Sequence, residues 1–418
     1  MTPSENSAAK GQWVQLCWIS LAVFLSLSLW FSASAIGRPL QRAWGLTNGQ
    51  LPWLTIAVQF GFVAGTLVSA LLNLPDRLRA ERLLAMCALL GGITNALIPL
   101  LANGPEDFVM ACGLRFLTGV ALAGVYPPGM KLIASWFKSR RGFSIGVMVG
   151  ALTLGSALPH LLLALSTESA STSTTGTQWQ SLMWGVSAAA AVAGLLAALF
   201  VRPGPYLGSS VRFNWHYVAT IWKDRPLRQA NFGYLGHMWE LYAVWTWVPL
   251  FLADSFSAGG YSLTSGRLAG FSIIAIGALS CVVAGWIADR AGRTNATIGS
   301  LLISGGCCLI AGYLAEQPIL LLAVCLVWGA LVIADSAQYS AAISELCDPQ
   351  LVGTALTIQT CAGFLLTTLS IGLLPVIQEW LSPAAAFSIL ALGPVFGIYH
   401  MWKLKQSPAA ERLAGGRG

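Results

Sequence analysis

Apolar residues along this chain neither alternate nor recur every third or fourth position; they come in long runs. These cover 13–35, 51–73, 83–101, 108–135, 143–165, 180–201, 229–252, 268–288, 296–315, 318–340, 352–376 and 383–402. A bilayer's hydrocarbon core is about 30 Å thick and takes about 20 apolar residues in a helix. Each run therefore predicts one membrane-spanning helix, twelve in all. Gly, Pro and Ser scattered through the runs suit packed transmembrane helices, not the alternating segments of a β-barrel. The longest polar stretch, 202–228, separates the sixth run from the seventh and carries Arg202, Arg212, Lys223, Arg225 and Arg228. The predicted organisation is a tail (1–12), a six-helix bundle (13–201), a linker (202–228), a second six-helix bundle (229–403) and a tail (404–418). The fold class expected is all-α membrane protein.

The first run ends in Ala33-Ser34-Ala35, which looks like a signal-peptidase site. The run is longer than a signal core of about 7–15 residues and is preceded by Lys10 alone as a positive charge, so it is read as the first helix.

Composition excludes the alternatives. The 23 basic and 16 acidic residues make up 9% of 418, while hydrophobic residues make up 56%. A soluble domain has about 25% charged residues, so a water-facing surface cannot be covered from this palette. Disorder, collagen and coiled coil each need a different bias. With the N-terminus inside, nineteen Lys and Arg fall in cytoplasmic segments and only Arg38, Arg42 and Arg267 in external loops. That asymmetry predicts both termini in the cytoplasm. It also assigns the net charge of +7 to topology and argues against a nucleic-acid partner. Of nine cysteines, only Cys347 lies outside a run. No spacing suggests a disulfide framework or a metal site, and the Cys307-Cys308 pair is read as helix packing.

Two motifs stand at corresponding places in the halves. Gly285-Trp-Ile-Ala-Asp289-Arg290-Ala-Gly292-Arg293 ends the eighth run, and Asp76-Arg77 follows the second. The fourth run carries Arg115-Phe-Leu-Thr-Gly119, then Tyr126-Pro-Pro-Gly129, with Trp136-Phe-Lys-Ser-Arg-Arg141-Gly142 before the fifth. G-x-x-x-D-R-x-G-R between the second and third helices of a six-helix half, with R-x-x-x-G in the fourth, resembles the major facilitator superfamily across the whole chain. The first copy departs from the pattern, with Leu72 in place of the first glycine and Arg79-Ala80-Glu81-Arg82 in place of the Gly-Arg end. Asp335-Ser336-Ala-Gln338 with Val352-Gly-Thr-Ala-Leu-Thr loosely resembles the superfamily's nitrate/nitrite-type permeases, and the Trp136–Gly142 turn its organic-anion branches. The glycine-rich nitrate signature of the fifth and eleventh helices is missing, as is the drug-antiporter G-P motif of the fifth. The resemblance implies two pseudo-symmetric six-helix bundles, alternating access and a bacterial inner-membrane location. It also implies gating by Asp76, Arg77, Gly285, Asp289, Arg290, Gly292 and Arg293, the glycines letting helices approach. A plain topogenic basic turn is the alternative for these residues.

An ionisable group inside a span costs on the order of 3 kcal/mol, so each one invites a functional reading. Away from helix ends these are Arg115, His160, His237, Glu240 and Asp335. In the family resembled, the first, fourth, seventh and tenth helices line the cavity, and four of the five fall there. Arg115, a fixed positive charge, is either a fork for an anionic substrate or a structural partner of helix carbonyls. Glu240, mid-run, either carries a coupling proton or fixes packing. His237 lies three residues before it on the same face and would complete a proton relay. Asp335 is a second titrating site or part of a gate. His160 follows Pro159 near the outer end, an interfacial position, and is the last proton-coupling candidate. Trp30, Tyr126, Trp245 and Trp247 are candidate substrate-site walls, with Trp30 and Trp247 superposing when the halves are aligned at an offset of 217. Aromatic-belt packing is their alternative. Pro249, with Gly233 and Gly236, gives the seventh helix a place to bend.

The function expected is secondary active, proton-coupled movement of a small anionic solute by alternating access, in a monomer embedded in the lipid bilayer. No cofactor, metal or enzymatic activity is expected, and no G-x-x-x-x-G-K-[ST] loop is present to bind ATP. The alternatives are proton-linked efflux of a hydrophobic or cationic compound, and a transport-dead receptor on the same fold.

Overall fold

Helix α1 (Pro3–Leu27) stops in the middle of the first apolar run. The hydroxyls of Ser26 and Ser28 bond back to the carbonyls of Ala22 and Leu25 at 2.8 and 2.6 Å, a contact that bends helices. The chain then turns through residues 28–31 before the short helices Ser32–Ala35 and Gly37–Trp44. This computed structural model describes residues 3–102, 104–137, 141–168, 178–207, 213–348 and 350–418. Every regular element among the described residues is helical.

The remaining long helices of the first half are α2 (Trp53–Leu71), α3 (Ala80–Leu101), α4 (Phe108–Ala123), α5 (Tyr126–Trp136), α6 (Arg141–Glu168) and α7 (Gln178–Phe200). Those of the second half are α8 (Arg225–Ala258), α9 (Leu263–Ala291), α10 (Arg293–Ile310), α11 (Pro318–Ala334), α12 (Ser336–Leu346), α13 (Val352–Trp380) and α14 (Leu392–Lys405). Three of the runs read as single helices are therefore broken by turn residues, and the twelfth passes from Pro383–Ser388 through a 3-10 turn at Ile389–Ala391 into α14. The first breaks at 28–31. The fourth breaks at Gly124-Val125, where Pro127 and Pro128 cannot donate to the carbonyls that end α4. The tenth breaks at Asp335, between α11 and α12. By contrast α8 runs unbroken for 34 residues through Pro249. Asp224 caps its start by accepting the Leu227 N–H at 2.9 Å.

Among the described residues, ten helical segments are long and apolar enough to cross a membrane. The other two predicted runs are helical as well. Gly11–Leu27 is apolar but only 17 residues long before its break, and α8 carries His237 and Glu240 in its interior. The surface agrees with a lipid surround. Trp380 is 82% exposed and Val109 79%, whereas Trp30, Trp245, Trp328 and Arg115 are among the largest fully buried side chains.

Small residues set the closest helix pairs. A side chain at Gly61 of α2 would strike the Phe116 carbonyl, and one at Gly119 of α4 the Val58 carbonyl. The two backbones thus touch directly. Gly236 of α8 and Gly393 of α14 meet in the same way. The halves of the chain contact one another along α6 and α9, where Gly150 faces Ala278 and Arg267 Nη1 donates to the Leu163 carbonyl at 3.0 Å. They also meet along α2 and α13, where the Phe62 and Phe364 rings lie 4.7 Å apart.

Candidate functional site

The break in the first run leaves carbonyls without helical partners, and Arg115 collects them. From α4 its Nη1 donates to Leu29 O at 2.9 Å, to Ser32 Oγ at 3.0 Å and to Asn95 Oδ1 at 3.0 Å; its Nη2 donates to Trp30 O at 2.7 Å and its Nε to Leu54 O at 3.1 Å. The guanidinium is fully buried and no carboxylate is paired with it among the described residues. Of the two readings of Arg115, this geometry matches the partner of helix carbonyls. Asn95, which sequence reasoning passed over, extends the network to Ser187 Oγ at 2.9 Å.

Glu240 and His237 share a helix face but serve different neighbours. The Glu240 carboxylate accepts from Ser304 Oγ at 3.0 Å, from Cys308 Sγ at 3.2 Å and from Trp328 Nε1. Cys308, read as packing, is thus a donor to a buried acid, and the partners lie on α10 and α11. His237 instead turns its Nδ1 to Asp335 Oδ1, 2.9 Å away at the break between α11 and α12. The second oxygen of Asp335 accepts from Tyr339 Oη at 2.8 Å. All three side chains are buried, and His237 Nε2 has no partner among the described residues. Tyr339 lies four residues beyond Asp335 on α12, a spacing that could have flagged it.

His160 is buried inside α6, with Nε2 unpartnered among the described residues. Trp30 packs on Phe62, Tyr242 and Phe364 at 4.8, 5.8 and 5.3 Å, and Trp245 packs on Phe31 and Tyr242, both at 5.7 Å. Together these rings form one layer drawn from both halves of the chain. Trp247 does not share the environment of Trp30. It donates to the Ile371 carbonyl at 3.0 Å and lines a pocket of about 210 Å³ with Leu51, Arg38 and Asp254. Arg38 and Asp254, absent from the candidates, pair across the mouth of that pocket at 2.7 Å. Tyr126 opens α5, half-buried.

At the opposite end the second motif is knitted to α12. Arg293 holds Glu345 through Nη2 at 2.7 Å, Gln338 through Nη1 at 2.8 Å and Asp289 at 3.2 Å. Arg290 lies over the Trp286 ring at 3.8 Å. Gly285 faces open space, so the close helix approach expected there does not occur. Gly292 is needed for a different reason. Its φ is +94°, and a side chain would strike the carbonyls of Arg417 and Gly418. The C-terminal segment docks here: Ala414 N–H donates to Glu345 Oε2 at 3.0 Å, Arg412 to Leu346 O at 2.7 Å and Arg417 to Asp289 O. Of the first motif, Arg77 is exposed, and the Asp76 side chain lies outside the described residues.

A helical chain with interrupted apolar helices, backbone-to-backbone helix pairs and buried ionisable groups has the architecture of a polytopic membrane protein. The profile of the Major Facilitator Superfamily matches residues 19–371, and the chain belongs to that family. It is similar to a gallate transporter of Pseudomonas putida, 26% identical over 313 residues, covering 66% of this chain and 65% of that protein. It is also similar to a probable sulfoacetate transporter of Cupriavidus necator, 22% identical over 299 residues, with 66% and 64% covered. The chain thus spans just under two thirds of the length of these relatives. Among solved structures, a D-xylose–proton symporter superposes with a TM-score of 0.72 at 15% identity, covering 96% of this chain and 99% of that one. A bacterial homologue of the human lysosomal transporter Spinster, inward-facing and unoccupied, superposes at 0.70 and 14% identity, with 95% and 99% covered. These likenesses share the fold.

Proposed function

We propose that this protein is a proton-coupled secondary transporter of small organic anions, working by alternating access with twelve spans in two six-helix halves. The observation that carries the reading is the buried His237–Asp335–Tyr339 group at the break between α11 and α12. His237 Nδ1 lies 2.9 Å from the Asp335 carboxylate, which orients the ring and leaves its other nitrogen as the one open to a proton. That nitrogen is unpartnered among the described residues and buried. A proton bound there offsets the charge of an anion in the site, so anion and proton cross together. The anion class comes from the relatives, one named for gallate and one for sulfoacetate.

In this reading Glu240 is a packing carboxyl with three donors, and coupling rests on His237 and Asp335. Arg115 holds the broken first helix in place. The Arg38–Asp254 pair closes one end of the path and the Arg293–Glu345–Asp289 network braces the other. The Lys and Arg asymmetry supports a topology with the Arg38 end outside and both termini in the cytoplasm, in the bacterial inner membrane. The test is uptake of labelled benzoate and of labelled sulfoacetate into proteoliposomes under an imposed pH gradient. Accumulation of either that collapses with a protonophore is expected. Uptake indifferent to the gradient removes the coupling, and uptake of neither removes the function.

A further inference from the structure

We infer that the anion accepted by this protein carries an aromatic ring, held between Trp30 and Phe62 of the first half of the chain and Tyr242, Trp245 and Phe364 of the second, with its oxygens on the indole N–H groups of Trp30 and Trp245. The inference rests on the organic-anion reading and narrows it. Two observations carry it independently of the relatives.

The first is the composition of the layer. Trp30 meets Tyr242 and Phe364, Phe31 meets Tyr242 and Trp245, and Phe62 meets Phe364, at centroid separations from 4.7 to 5.8 Å. All five contacts cross between the halves. Alternating access requires the halves to separate at this level, and separation removes these ring contacts together. A ring entering between them supplies the same edge and face partners that each half loses. An aliphatic anion does not.

The second is what the two indoles leave unused. A buried Trp N–H ordinarily finds an acceptor. Trp328, equally buried, follows that rule by donating to the Glu240 carboxylate, and the partly buried Trp136, Trp239 and Trp247 donate to Arg202 O, Ile389 O and Ile371 O. Trp30 and Trp245, both buried, do not, although they lie in the same layer. The Gln59 carboxamide, one turn before Phe62 on α2, is likewise buried with both its nitrogen and its oxygen unpartnered among the described residues. Such groups are costly to keep unless something that enters the site pairs with them. Unused donors within an aromatic layer match a planar ring bearing carboxylate or hydroxyl oxygens. Arg115 is no rival for that carboxylate, since its guanidinium is spent on the carbonyls of Leu29, Trp30 and Leu54.

The experiment compares size-matched anions on the purified full chain in nanodiscs. Binding of benzoate, 3,4,5-trihydroxybenzoate, cyclohexanecarboxylate, acetate and sulfoacetate is measured by equilibrium dialysis. The two aromatic acids are expected to bind at least about tenfold more tightly than the other three. Trp245→Phe and Trp30→Phe keep a ring and remove the N–H, and each is expected to weaken benzoate binding by about three- to tenfold. If cyclohexanecarboxylate, acetate or sulfoacetate binds as tightly as benzoate, the aromatic assignment is overturned while the organic-anion reading stands. If none of the five binds, both fall. The ligand comparison uses the unaltered protein, so a variant that fails to fold does not decide the outcome.

Discussion

Arg115 Nη2 donates to the carbonyl of Trp30 at 2.7 Å, so the charged residue of the fourth run and the aromatic residue of the first are parts of one structure. The serine-bent end of α1 frees two carbonyls, the guanidinium satisfies both, and the Trp30 ring is thereby fixed against Phe62 and Phe364. The cation positions the Trp30 ring through the backbone.

Arg115→Ala is therefore expected to be a folding variant. Losing charge-assisted bonds to buried carbonyls costs on the order of 3–5 kcal/mol. The yield of monodisperse protein and the melting temperature should fall sharply, with Arg115→Lys intermediate because an ammonium lacks the fork. A variant as stable as the parent that loses only anion binding would return Arg115 to the substrate.

Glu240 and Asp335 should separate in transport assays. Glu240→Gln keeps an acceptor for Trp328 and disturbs the bonds to Ser304 and Cys308, a stability cost of about 1–3 kcal/mol with gradient-driven accumulation retained. Asp335→Asn removes the carboxylate beside His237. Its accumulation under a pH gradient should disappear while substrate exchange between equilibrated compartments persists. Reversed behaviour of the two variants would put the coupling proton on Glu240.

Breaking the Arg38–Asp254 pair should have a small effect in one direction. Both side chains are about half exposed, so the pair is worth about 0–1 kcal/mol after screening. Arg38→Ala should raise amide exchange in 247–254 by up to about fivefold, and the exchanged pair Arg38→Asp with Asp254→Arg should restore protection. No change in either variant would deny the pair a role in closure.

The C-terminal segment should behave as part of the folded body. Leu413 is fully buried, so Leu413→Asp forfeits about 1.5–3 kcal/mol of burial and should release 408–418 from Glu345 and Asp289. Faster amide exchange in 289–296 is the readout. Unchanged protection there would reduce the docking to a passive contact.

The positions of the helices were legible because a run of apolar residues long enough to cross a bilayer leaves little choice of structure. Their interruptions were harder to see. The Ser26 and Ser28 back-bonds that bend the first helix use residue types common in any transmembrane segment, and only the Tyr126-Pro-Pro break announces itself. The buried ionisable groups were found by their cost, but their partners were not. Arg115 binds backbone carbonyls, which no residue type marks, and the Glu240 donors Ser304 and Trp328 lie 64 and 88 residues away. His237 and Glu240 share a helix face at three-residue spacing, yet α8 packs against several helices at once and each side chain finds its own.

The same distance bears on how the protein is made. When α8 leaves the ribosome its buried carboxyl has none of its eventual donors, and Trp328 follows 88 residues later. At roughly 5–20 residues per second that is an interval of about 4–18 s. Through it, the 34-residue segment bearing Glu240 and His237 lacks the partners that α10 and α11 supply. The full hydrogen-bonded setting of Glu240 is therefore complete only after α11 has been made.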